Sequence, residues 1–153
     1  MAAAAYRTAE KILNEHDGEL HDFTRRSGVA DSEIVLPQNS DADWALARSV
    51  LWNAAEKAEK RKDSRVAREF EVSLPHELDA DQRAASAREF AQHLPDRYRA
   101  AVDMAIHEPN GKTVDRNHPA HLLMTTRQLV PNTQNRLGDK THFEREGKWL
   151  MAQ

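Results

Sequence analysis

Residues 66–75 read Val-Ala-Arg-Glu-Phe-Glu-Val-Ser-Leu-Pro, and their spacing decides the fold. Val66, Arg68, Phe70, Val72 and Leu74 alternate with Ala67, Glu69, Glu71 and Ser73. A period of two belongs to a strand whose side chains point to opposite faces, so the apolar set is expected inward and Glu69 and Glu71 share the other face. Pro75, which cannot donate to a ladder, ends the strand.

Toward the C-terminus, Asp79 and Gln82 have capping-box spacing and predict a helix through about His93, packed on Ala84, Ala87, Phe90 and Ala91 and closed by Pro95. A second strand over residues 101–107 puts Val102, Met104 and Ile106 on one face and Asp103, Ala105 and His107 on the other. A third over 120–129 alternates Leu122, Met124 and Thr126 with His121, Leu123, Thr125 and Arg127. Residues 108–117, with Pro109, Asn110 and Gly111, form a natural hairpin loop between them.

Toward the N-terminus, the alanine-rich segment 2–16 predicts a helix stopped by Gly18, and residues 28–37 a short extended stretch ending at Pro37. Ser40 or Asp41 caps a long helix through about Lys60, with Trp44, Ala47, Leu51, Ala54, Ala55 and Ala58 on one stripe. Helix, helix, strand, helix, strand, strand implies an α+β domain, an antiparallel sheet with helices covering one face. The domain is expected over 1–130, with 131–153 a polar tail in which Phe143, Trp149 and Leu150 hint at a short terminal helix.

The 153 residues suit one domain, and 39% hydrophobic with 31% charged residues is a globular balance. No apolar run approaches the roughly 20 residues needed to cross a bilayer, and the opening Met-Ala-Ala-Ala-Ala-Tyr-Arg lacks a signal pattern, so a cytoplasmic protein is expected. The absence of cysteine excludes disulfides, thiolate metal sites and thiol nucleophiles. A net charge of -3 argues against coating duplex DNA by bulk electrostatics, so a nucleic-acid partner needs a local basic surface. Lys57, Lys60, Arg61, Lys62 and Arg65 are the best such patch, against the plainer reading of a solvated helix end.

The polar sheet face gathers Glu69, Glu71, Asp103, His107, His121, Thr125 and Arg127. A hairpin that brings His107 near His121 places two imidazoles where neutral rings bind a divalent cation, and His118 lies at the same mouth. The plainer reading, polar residues at loop ends in a chain with eight histidines, stands beside it. There is no phosphate-cradling glycine loop, no His-Glu-x-x-His helix and no Gly-x-Ser-x-Gly turn.

The ordered pieces resemble the MobA/MobL mobilisation relaxases. They are Ala5-Tyr6-Arg7 with residues 9–13, residues 33–37, Leu51-Trp52-Asn53 with Glu56, residues 59–64, Ala67-Arg68-Glu69, Leu74-Pro75, Glu77-Leu78, His107 and residues 121–127, together spanning about 2–140. The resemblance implies a rolling-circle nickase-like fold in which a tyrosine cleaves one DNA strand at a plasmid transfer origin. It carries the nucleophile onto Tyr6 and metal ligation onto His107 and His121, with manganese or magnesium expected first and zinc or nickel as alternatives. Glu69 or Glu71 orients a ligand or accepts a proton. Single-stranded DNA is expected along Lys60, Arg61, Lys62, Arg65 and Arg127, with Trp44 and Trp52 as stacking rings and Trp44 also fitting the core. Conjugation accessory proteins are further expected partners.

Two departures from the family pattern stand out. A strand and loop normally precede Ala-Tyr-Arg, whereas five residues precede Tyr6 here, so the sheet is expected to lack its first strand. The family's Asn-Pro-His-Ala-His reads Asn117-His118-Pro119-Ala120-His121, and residues three apart on a strand face opposite ways. The alternatives are a truncated relaxase that binds DNA or a transfer protein without cutting it, and a structural domain with incidental histidines.

Overall fold

The computed structural model describes residues 1–108 and 117–145. Its elements are α1 (Ala2–Thr8), β1 (Lys11–Leu13), β2 (Leu20–Asp22), β3 (Val29–Val35), a 3-10 turn (Asp43–Leu46), α2 (Arg48–Ala58), β4 (Ala67–Pro75), α3 (Ala80–Tyr98), β5 (Val102–His107), β6 (Asn117–Thr125), β7 (Arg127–Leu129) and β8 (Leu137–Lys140). The main sheet runs β3-β5-β6-β4 with every pair antiparallel. The α+β class, an antiparallel sheet flanked by helices, is as the alternating strands predicted.

Leu122 of β6 lies opposite Met104 of β5 and Phe70 of β4, and Met124 lies opposite Val102. Those side chains share a core with Ala87 and Ala91 of α3. Both halves of the capping box that starts α3 are present: Gln82 N–H donates to the Asp79 carboxylate at 2.8 Å and the Gln82 side chain accepts from Asp79 N–H at 3.0 Å. The helix does not close at Pro95 but runs through it to Tyr98. Pro95 removes one backbone bond, but Leu94 and Tyr98 of this last turn pack on the core, and that burial outweighs the loss.

Helices cover both faces of the sheet rather than one. Opposite α3, Leu51, Trp52, Ala54 and Ala55 of α2 and Ala4 and Ala5 of α1 join Ile34, Ala101 and Leu123 in a second core. All six residues of β5 are therefore buried, and the polar face is open only at one end.

Three predicted elements are divided. The first helix stops at Thr8, with Ala9 left-handed at φ 56°, and Ile12 is buried from the β1–β2 hairpin instead. That hairpin turns on Asp17, whose carboxylate accepts from the Glu19 N–H and the Asn14 amide, and on Gly18 at φ 75°. The long helix breaks at Ala47, whose extended ψ of 107° separates the 3-10 turn from α2, so neither Ser40 nor Asp41 caps it and the Asp41 carboxylate accepts from the Asn132 N–H instead. The third strand leaves the main sheet after Thr125, and β7 pairs with β8.

Residues 137–145, expected in a polar tail, pack into the domain. Leu137 belongs to the second core, and Thr141 and Glu144 are buried. Phe143 meets Phe70 and Tyr98 edge-on with centroids 5.7 and 5.5 Å away, and Glu144 takes a two-pronged ion pair from Arg68. Most of the predicted 108–117 loop and the terminal helix expected around Trp149 and Leu150 lie outside the described residues.

Candidate active site

On the polar face, the last turn of α1 meets the end of β5 at His107 and, through Arg7, Glu69 of β4, beside His121 of β6. The His107 ring nitrogen Nε2 lies 2.8 Å from the Arg7 carbonyl oxygen. A carbonyl only accepts, so Nε2 carries the proton and the neutral ring keeps its lone pair on Nδ1. His121 Nδ1 lies 2.8 Å from Glu69 Oε1, which fixes the other tautomer and leaves the lone pair on Nε2. The two imidazoles are in contact, centroids 4.7 Å apart and planes tilted by 45°.

Arg7 joins the pair a second time, because its Nε donates at 2.9 Å to the same Glu69 oxygen that holds His121. Burial pushes the His107 imidazole below its usual 6.5, helped by the charges of His121, Arg26 and Arg7, against the opposing pull of the Arg7 carbonyl. His107 is thus neutral at neutral pH, the form that ligates metal. Tyr6, the neighbour of Arg7, is 40% exposed, with the Arg26 guanidinium 3.8 Å from its ring centroid and the Phe23 ring edge-on at 5.3 Å.

The model of the MobA/MobL family matches residues 1–151. The chain belongs to the MobA/MobL family. It is 40% identical over 147 residues to the mobilization protein MobL of Acidithiobacillus ferridurans, covering 96% of this chain and 35% of that protein. It is 32% identical over 136 residues to the conjugal transfer protein TraA of Rhizobium radiobacter, covering 83% of this chain and 12% of TraA. The chain thus spans about a third or less of these relatives. A solved chain from work on the molecular basis of vancomycin resistance transfer in Staphylococcus aureus superposes with a TM-score of 0.79 at 34% identity, covering 97% of this chain and 77% of that one.

In this MobA/MobL domain, Glu71 lies directly across from His121 and is exposed on the same face. Other residues predicted for that face are drawn elsewhere. Asp103 is buried beneath α2, where it accepts two bonds from Arg48 Nε and one from Trp52 Nε1 at 2.9 Å. Thr125 is buried and donates to the Arg127 carbonyl, and Arg127 is paired to Glu59 at 2.9 Å. His118 lies opposite Leu74, with the charges of Arg83 on α3 and His76 nearby, three residues from His121 and therefore on the other face. Among the described residues no three His, Asp or Glu side chains are grouped so as to hold a metal ion, and the His107–His121 pair is two imidazoles in ring contact.

Of the residues expected along DNA, Lys60, Arg61, Lys62 and Arg65 are exposed. The first three line an open groove of about 800 Å³ between the end of α2 and the β1–β2 turn, a groove that also carries the carboxylates of Glu15, Asp17, Glu56 and Glu59. Trp52 is 1% exposed and its N–H is spent on Asp103, so it offers no face to a base. Trp44 is half-buried against the second core. Arg26 and Phe23 carried no signal in the sequence, since neither lies in a motif and both reach Tyr6 only through the fold.

Proposed function

We propose that this domain is the strand-transfer unit of a plasmid-mobilisation relaxase, acting in the cytoplasm on single-stranded DNA at a transfer origin. One observation carries the reading: Arg7, next to Tyr6, is bonded through its carbonyl to His107 and through Glu69 to His121. That linkage ties the candidate nucleophile to both candidate ligands. His107 and His121 would hold a divalent cation, manganese or magnesium first and zinc or nickel as alternatives, which would supply polarisation of the scissile phosphate.

The Tyr6 oxygen attacks phosphorus, forming a phosphotyrosine bond as the bond to the 3' oxygen breaks and that oxygen takes a proton. Glu69 is occupied in orienting His121, so Glu71 is the carboxylate assigned to receive the phenolic proton. Lys60, Arg61, Lys62 and Arg65 follow the DNA backbone, and Arg127 acts indirectly through Glu59. Conjugation accessory proteins are the remaining partners of this reading.

The test is incubation of the purified protein with single-stranded DNA from its own plasmid's transfer region and manganese or magnesium, followed by a denaturing gel. A covalent adduct that disappears in Tyr6→Phe is the expected result. Folded protein that binds the DNA but gives no adduct overturns it in favour of a second reading, a DNA-binding relaxase remnant. The placement of His118 on the opposite face, which leaves two imidazoles, favours that second reading.

A further inference from the structure

We propose that Arg26, assisted by Phe23, is a positioning residue that sets the ring of Tyr6, an inference that rests on Tyr6 being the nucleophile. Tyr6 sits near the end of a seven-residue helix without a side-chain N-cap bond, its ring is substantially exposed, and within α1 the Arg7 guanidinium approaches that ring no nearer than 5.6 Å from the centroid. Arg26 lies closer to the ring than Arg7 and adds a backbone bond. Its Nη1 donates to the Tyr6 carbonyl at 2.6 Å while the guanidinium carbon lies 3.8 Å from the ring centroid, so one side chain grips both backbone and ring. Phe23 closes the arrangement with a ring contact at 89°.

The segment that carries both residues is itself anchored at each end. Phe23 N–H donates to the Glu10 carbonyl at 3.1 Å, and Arg26 N–H to the Phe23 carbonyl at 2.9 Å. Gly28, at φ 91°, presents its carbonyl to the N–H of Glu108, the residue after His107, at 2.8 Å. The connection from β2 to β3 thus spans from the α1–β1 turn to the end of β5 and fixes Tyr6 relative to His107. A rigidly placed nucleophile shortens the search for an attack geometry, whereas a free one loses rate without losing ground-state binding.

The experiment compares wild type, Arg26→Ala, Arg26→Lys and Phe23→Leu in single-turnover adduct formation at saturating single-stranded DNA. DNA affinity is measured by anisotropy at two salt concentrations, and the Tyr6 ring is followed by NMR of tyrosine-labelled protein in a Tyr98→Phe background. Expected for Arg26→Ala is an adduct rate lower by roughly ten- to a hundredfold, with affinity and salt dependence unchanged and the Tyr6 ring signals moved toward those of a free tyrosine. Arg26→Lys, which keeps the charge and a donor, recovers part of both.

Weaker binding with a shallower salt dependence and unmoved ring signals overturns the proposal and makes Arg26 a phosphate contact. Unchanged rate and unchanged ring signals also overturn it. Should wild type form no adduct, the nickase reading fails, and the ring signals alone still decide whether Arg26 holds Tyr6.

Discussion

Two arginine–carboxylate pairs on the same side of the sheet have nearly the same bond length and opposite surroundings. Arg48 and Asp103 meet at 2.8 Å with side chains 10% and 0% exposed, and Arg7 and Glu69 meet at 2.9 Å with side chains 28% and 35% exposed. The first is sealed by α2 and shared with Glu10 and the Trp52 indole. The second is shared with His121, beside His107 and Tyr6. The same chemistry therefore serves as a structural tie where water is excluded, and as a solvated frame around the His107–His121 pair where water has access.

The largest effect expected from this contrast is at Asp103. Asp103→Ala leaves Arg48 buried without its main partner and is expected to cost about 3–5 kcal/mol in denaturant unfolding. A loss below about 1 kcal/mol would make the two pairs alike and remove the distinction.

The pH dependence of stability sharpens the contrast from the other side. Because burial places the folded-state pKa of His107 below 6.5, its contribution is fully present above pH 6.5, where both states are neutral. As the pH falls below 6.5 the unfolded chain takes the proton first, and stability is lost until the folded-state pKa is passed. Thermal unfolding midpoints between pH 7.5 and 5 should fall in wild type and fall less steeply in His107→Gln. Equal slopes would mean that His107 is not held neutral by the fold.

The smallest stability effect is expected at Glu69, whose Glu69→Gln change should cost less than about 1 kcal/mol because the pair is solvated. The same change should weaken manganese binding, measured by calorimetry, by about ten- to a hundredfold, since the carboxylate sets the His121 tautomer. Stability lost without any change in manganese affinity would move this pair into the structural class with Arg48–Asp103.

Much of this was legible in the residues themselves. The alternation around Phe70, Met104 and Leu122 gave three strands, their buried faces and the parity that sets His121 against His118. The Asp79–Gln82 spacing gave the start of α3. What was misread has a common cause. Ile12 and Leu13 fit a helix as well as a hairpin until Ile12 is buried from β1, and Pro95 is a helix stop until Leu94 and Tyr98 gain a core to pack on. Leu137 and Phe143 look like tail residues until β7 and β4 offer them partners. Trp52 looks like a stacking ring until Asp103 accepts its N–H.

Sequence by itself determined the period of the strands in the main sheet, the capping box of α3, the face on which each of those strand residues falls and the family to which the ordered motifs point, because these depend on neighbours a few positions away. Only the tertiary structure decided which end of the polar face is covered. That depends on where the helices dock: α2 brings Arg48 to Asp103 across 55 residues, α1 brings Arg7 to Glu69 across 62, and the β2–β3 connection brings Arg26 to Tyr6 across 20. Contacts at such separations are set by the closing of the whole chain around two cores, and no local pattern encodes them.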